Sequence, residues 1–180
     1  MATVRILLFV FCFAFANWPG LPGDSVVSNE PIVAIAQSQI GVKEATGNND
    51  GVEVEAYLAA TGLKKGEPWC AAFLSWVFKQ AGYEQPVTGW SPALFPLARQ
   101  VKVPAPGIVF GIYFPSLKRI AHCGIIEQVK GNFIFGIEGN TNLSGSREGN
   151  GVHRKLRHVK SIYRYADWIS NNSKKKGDTQ

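Results

Sequence analysis

The chain of 180 residues predicts a single α+β domain, with helices first and an antiparallel sheet after them. Three observations carry that expectation. Apolar residues recur at helical spacing between Pro31 and Gly82. From Ile108 onward they gather in short runs rich in Ile, Val and Phe. The change falls at Pro106-Gly107, a natural break in the chain.

The helices come first. Asn29 can cap a helix carrying Pro31 in its first turn, where a missing N–H costs little. Val33, Ala36 and Ile40 fall at helical spacing, and Gly41 ends the run. Asp50 and Glu53 have the spacing of a capping box for a second short helix, which stops before Gly62. A third helix starts near Trp69-Cys70. Its apolar stripe is Phe73, Leu74, Val77, Phe78 and Ala81, and Gly82 closes it. Residues 85–106 contain five prolines and read mostly as loop.

Strands follow at 108–114, 121–129, 132–138, 152–156 and 162–165. Lys130-Gly131 is the expected hairpin turn between the second and third. The polar stretch 170–180 reads as a disordered tail. The predicted domain therefore spans 29–169.

Composition narrows the function. Hydrophobic residues make up 46% and charged residues 18%, which excludes a disordered chain and a coiled coil. No apolar run reaches the roughly 18–20 residues a spanning helix needs, so a polytopic membrane protein is excluded. A net charge of +6 favours an anionic partner. No nucleic-acid reader motif accompanies that charge, so no nucleic-acid partner is expected. Cys-x-x-Cys and His-Glu-x-x-His spacings are absent, so neither metal nor cofactor is expected. The chain is expected to be a monomer.

Residues 1–16 read as a secretory signal peptide: Arg5, an apolar core over 6–13, then Ala14-Phe15-Ala16 before the cleavage point. Residues 17–28, with their Pro and Gly, read as a linker. The expected location is secreted or periplasmic. Removal of the leader takes Cys12 with it and leaves Cys70 and Cys123.

Cys70 opens a helix, so its sulfur faces unpaired N–H groups and the positive end of the dipole, which favour the thiolate nucleophile. Such a nucleophile needs a base. His153 and His158 lie among Arg154, Lys155, Arg157 and Lys160 and read as solvated strand residues. His122 instead begins an apolar strand, with Gly124 on its face expected to leave open space beside the ring. Alternation puts Gly136, Glu138 and, if the strand continues, Asn140 on one polar edge that the hairpin brings beside His122. Glu138 can then hold one ring nitrogen while the other faces Cys70. In an exported chain, two thiols also suit one structural disulfide. The two readings are expected to exclude each other, since 122 and 123 point to opposite faces of a strand.

The block Glu67-Pro68-Trp69-Cys70-Ala71-Ala72-Phe73-Leu74-Ser75-Trp76 resembles the active-site block of CHAP-domain cell-wall hydrolases, a papain-like group related to NlpC-type peptidases. Ile40-Gly41-Val42-Lys43-Glu44, Pro106-Gly107, His122-Cys123-Gly124-Ile125-Ile126 and Ile137-Glu138-Gly139-Asn140-Thr141 are similar in order and spacing to its other blocks. Many relatives carry an acid after the Pro-Gly, where this chain has Ile108. The resemblance implies a papain-like α+β fold with the site between helices and sheet. It implies Cys70 as nucleophile, His122 as base, Glu138 as orienter and Asn140 as a further polar site residue. It also implies cleavage of amide bonds in peptidoglycan, at the glycan–peptide junction or within stem peptides. A non-catalytic wall-binding module and a thiol acyltransferase are the alternatives.

Overall fold

The computed structural model describes residues 30–144 and 149–170. The expected leader, linker, Asn29 cap and residues 171–180 lie outside the described residues. Three helices, α1 (Glu30–Ser38), α2 (Val52–Ala59) and α3 (Cys70–Gln80), precede most of the sheet. The strands are β1 (Gln100–Val101), β2 (Val109–Phe114), β3 (Arg119–Lys130), β4 (Phe133–Thr141), β5 (Gly151–His158) and β6 (Arg164–Ala166). They form one six-stranded sheet in the order β1-β6-β2-β3-β4-β5, with every pair antiparallel. The fold class is α+β.

The helix positions follow the sequence pattern, with local differences. α1 buries Ile32 and Ala36 fully, while Val33 is only half-buried, so its inward face is turned from the expected one. The capping box at Asp50 and Glu53 does not form. Gly51, at φ 112, is the N-cap, and its N–H donates to Glu55 Oε1 at 3.3 Å. Asp50 is used elsewhere: it accepts from the backbone N–H and hydroxyl of Thr46, closing the loop before α2. A carboxylate with two local donors is not free to cap.

α3 is buried on almost every side, not along one stripe. Residues 70–75, with Val77 and Phe78, are all inaccessible or nearly so. A helix apolar all round must be covered all round. Here α1 and α2 pack on it from one side and β3 and β4 from the other. Tyr57 of α2 meets Trp69 and Phe73 with ring centroids 5.6 and 5.2 Å apart. This core holds the start of α3 rigidly against the sheet. A smaller apolar cluster, Ile108, Phe110, Ile126 and Ile134, lies on the opposite face.

The expected loop at 85–106 contains two short 3-10 helices, Ser91–Leu94 and Leu97–Arg99, and the two-residue β1. So short a strand has no sequence signal of its own and exists through its pairing with β6. The β3–β4 turn is Gly131-Asn132, one residue beyond the expected position, because Lys130 still pairs with Phe133. Gly131 takes φ 54, which a tight hairpin turn asks of its first central residue. Among the described residues, no helix is long and apolar enough to cross a membrane.

Candidate active site

Cys70 is the first residue of α3 and only 6% exposed. Trp69 precedes it as N-cap with no side-chain cap bond, leaving the N–H groups of the first turn directed toward the sulfur end of the helix. Trp69 is itself anchored: its indole N–H donates to Glu44 Oε1 at 3.0 Å, and Glu44 Oε2 accepts from the Asn49 N–H at 3.0 Å. The loop after α1 thus fixes the residue just before the thiol. Cys70 Sγ lies 3.3 Å from Ser91 Oγ, on the first of the 3-10 helices.

His122 enters from the start of β3. Ile112 pairs with His122 but Tyr113 pairs with Ile120, so Ala121 is an extra residue on β3. Pairing of β3 with β4 ends at Ile125 opposite Ile137, and the two strands part beyond it. His122 and Glu138 face each other across this gap, with Nε2 of the ring 2.7 Å from Glu138 Oε2. With Nε2 taken by Glu138, Nδ1 is the ring nitrogen left to serve Cys70, whose proximity is among the causes that raise His122. The expected Cys70–His122–Glu138 order is present. The open space expected at Gly124 is not: a Cβ there would come within 2.5 Å of the Phe110 ring and 2.7 Å of Glu138 Cγ. Gly124 is needed because those two side chains occupy its face.

Glu138 is fully buried and both its oxygens are bonded. Arg157 Nε donates to Oε1 at 2.8 Å, and Arg157 Nη2 donates to Oε2 at 2.7 Å. The sequence reading placed Arg157 in a solvated basic run and missed this role. A signal existed. Glu138 pairs with His153 and Ile134 with Arg157, so 153, 155 and 157 share the face of Glu138. A long guanidinium can reach along that face over Gly136. His153 instead bonds Asn150 Oδ1, and His158 Nδ1 accepts from the Lys160 N–H.

Cys123 requires a correction. It was expected to face away from Cys70 if His122 faced toward it. Both thiols are free and buried, yet Cys70 lies close enough to both Cys123 and His122 for each to lower its pKa. Ser91 Oγ lies between the sulfurs, 3.3 Å from one and 3.9 Å from the other. Alternation holds for flat, paired strand. The bulge at Ala121 and the gap between β3 and β4 twist this end of the strand, as bulges do. The imidazole, tied to Glu138, meets the sulfur through the gap, and Cys123 meets it from the helix-side face. Nothing in the sequence singled out Ser91, which sits in a proline-rich loop.

The electrostatics follow from these contacts. The Cys70 thiol is held well below its usual range, first by the hydrogen bond from Cys123, then by the bond and charge of His122 and by Ser91, against the opposing effect of burial. Burial pushes His122 down, but its bonds to Cys70 and Glu138 prevail and raise it to about 9. Burial pushes Glu138 up, but Arg157 and His122 hold it at about 2. Burial and the neighbouring Cys70 push Cys123 well above the usual thiol range, so it stays protonated and donates. These shifts all favour a row of alternating charge running from the Cys70 sulfur through His122 and Glu138 to the Arg157 guanidinium. Each ion has an opposite neighbour, the condition under which buried charge is tolerated.

Asn140 departs from the expected face. It lies in the left-handed region at φ 52, and the β4–β5 register shifts between Glu138 and Thr141. Alternation therefore stops at Glu138. The Asn140 carboxamide donates to Asn49 Oδ1 at 2.7 Å, joining the loop that anchors Trp69. A cavity of about 510 Å3 opens beside Cys70, walled by Leu63, Val87, Trp90, Ser91 and Arg119. Among the described residues, no group of three His, Cys, Asp or Glu is placed to hold a metal ion.

No protein-family profile matches the chain, and no curated protein sequence does. Two solved structures are similar to it: the crystal structure of Ly7917, and that of Ly7917 with the hydrolyzing product of MDP. Identity is 15% in both, with TM-scores of 0.46 and 0.44. The similarity covers 77% of this chain and 61% and 62% of theirs, so the chain spans about three-fifths of the length of those structures.

Proposed function

We propose that the protein is an exported cysteine hydrolase that cleaves amide bonds in peptidoglycan, as an amidase or endopeptidase of papain-like type. The observation that carries this reading is a helix-opening thiol beside an imidazole whose Nε2 is held by a buried carboxylate. The peptidoglycan substrate rests on the resemblance of the Cys70, His122 and Glu138 blocks to CHAP-domain hydrolases. Positive net charge suits anionic wall polymers.

The groups divide the chemistry as follows. Cys70 is a thiolate at rest and His122 an imidazolium. The sulfur attacks the carbonyl carbon. The developing oxyanion is met by the N–H of Cys70 at the start of α3. The imidazolium gives its proton to the leaving amine, and the C–N bond breaks to leave a thioester. The neutral imidazole then takes a proton from water, the resulting hydroxide attacks the thioester, and the acid leaves as the thiolate reforms. Glu138 fixes the ring and stabilises its positive charge, and Arg157 fixes Glu138. Asn140 acts through Asn49 and Glu44 on the position of Trp69.

Cys70→Ala is expected to abolish release of soluble fragments from purified sacculi while the far-ultraviolet circular dichroism is unchanged. Mass spectrometry of wild-type digests identifies the bond cut. Full release by the folded variant removes Cys70 as nucleophile. Release of product carrying an added amine in place of water indicates acyl transfer.

A further inference from the structure

We infer that the cavity beside Cys70 is a recognition site for a substrate carboxylate, with Arg119 as its cation and Trp90 as its platform. The inference rests on the amide-hydrolase reading of Cys70 and names what that hydrolase selects. It starts from how the arginines of this chain are used. Arg154 is paired with Glu127 and Arg157 with Glu138. Among the described residues, Arg99, Arg164 and Arg119 make no ion pair and stack on Trp168, Tyr163 and Trp90, but of these three Arg119 is the one that lines the cavity with Cys70. Among the described residues, no carboxylate lies within ion-pair distance of it. Its one protein acceptor is the Ile120 carbonyl, at 3.2 Å from Nη1. A guanidinium carries five N–H donors, so most of its donor capacity remains for a ligand.

Its position is set on both sides. It is the first residue of β3, three before His122, and its guanidinium lies 4.2 Å over the Trp90 ring. Stacking on an indole orients the planar fork without using its N–H edge. Trp90 is 54% exposed, and it immediately precedes Ser91, which contacts the Cys70 sulfur. The loop bearing Trp90 is itself pressed onto the helical half: a Cβ on Gly89 would lie 2.3 Å from Leu63 Cδ1. The platform is thus seated by close packing, which a bulkier residue at 89 would push apart.

Arg119, Trp90 and Cys70 line the same cavity, whose volume of about 510 Å3 falls within the usual range for ligand pockets, about 300–1,000 Å3. Leu63, Val87 and Trp90 make its walls apolar, while Thr61, Thr88 and the exposed Glu67 add polar groups. Glu67 is not paired with Arg119, so it does not neutralise the cation. An unpaired, half-buried, oriented guanidinium within an apolar-walled cavity fits one chemistry well: a carboxylate on a short aliphatic stem, close to the amide that meets the sulfur. A free carboxylate on a peptide residue adjacent to the scissile bond has that form.

The test uses N-acetylmuramyl-L-alanyl-D-glutamic acid, with its two carboxylates, and its diamide, nearly the same in shape. For the wild-type protein, kcat/KM is expected to be about 10- to 100-fold higher on the diacid. Arg119→Gln is expected to remove that preference by slowing the diacid alone, and Arg119→Lys to restore part of it, since it keeps the charge and loses the fork. Equal rates of the wild type on both compounds, or a preference undiminished in Arg119→Gln, overturn the inference and leave the hydrolase reading standing. Titration of both compounds into Cys70→Ala separates the converse case. Arg119-dependent binding of the diacid without cleavage by the wild type supports the carboxylate site and sinks the hydrolase reading. Equal binding of both compounds there overturns the site.

Discussion

Two arginine–glutamate pairs span the strands of this sheet with nearly the same geometry. Arg154 reaches Glu127 through Nε and Nη2 at 2.5 and 2.7 Å, and Arg157 reaches Glu138 through the same two atoms at 2.8 and 2.7 Å. Their surroundings differ. The Arg154 side chain is 47% exposed and its partner bonds outward to Gln37. The Arg157 side chain is 27% exposed and its partner is wholly buried, with the His122 imidazole also bonded to its Oε2. The same two side chains make a surface clasp in one place and hold a buried carboxylate against an imidazole in the other. Burial makes the difference, because a buried carboxylate cannot fall back on water when a partner is removed.

That contrast can be broken most sharply at the two arginines. Arg157→Leu leaves the buried Glu138 with His122 as its one charged partner and two fewer donors, and is expected to cost up to about 3–5 kcal/mol of stability. Arg154→Leu is expected to cost about 0–1 kcal/mol, since Arg154 is half exposed and Glu127 keeps Gln37 as a donor. Urea unfolding of both variants measures the gap, and equal losses would show that the two pairs do not differ in this way.

Glu138→Gln keeps the shape and removes the charge that stabilises the imidazolium. Turnover is expected to fall roughly 10²- to 10⁴-fold with KM little changed. A fall confined to KM would make Glu138 a substrate contact instead.

The smallest effect concerns the second thiol. Cys123 is the first cause of the depressed Cys70 acidity constant, so Cys123→Ala should move the onset of Cys70 alkylation by iodoacetamide upward, toward the ordinary thiol value of about 8.5. The direction follows from the donor: without its S–H the thiolate is less stabilised, and a higher pH is needed to form it. In the unaltered protein, alkylation is expected to set in below that value. Hydrolysis should begin at the same low pH and fall as His122 loses its proton near 9. An unmoved alkylation profile in Cys123→Ala would leave that residue as packing.

Much of this was legible along the chain. The start of α3 at Cys70 was readable because helix spacing and a closing glycine are local signals. His122 and Glu138 could be brought together on paper because they lie on one hairpin, where a turn and a period of two decide neighbours. Asn140 shows where that reasoning stops. Two residues past Glu138 the strand takes a left-handed step, and the expected face is lost. Cys123 shows the same failure in the other direction: a bulge and a parted strand pair bring it within reach of a sulfur it was expected to avoid.

By itself, then, the amino-acid order determined the class of fold, the position of Cys70 at a helix start, and the pairing of an imidazole with a carboxylate on adjacent strands. These depend on backbone preferences and on residues close in the chain. Tertiary structure alone decided which of several arginines holds Glu138, that Ser91 and Cys123 touch the reactive sulfur, and that Arg119 lies on Trp90 beside a cavity. Each of those contacts joins residues 19 or more positions apart. Such contacts depend on how strands bulge, where they separate and how far a long side chain reaches, and the folded packing sets all three.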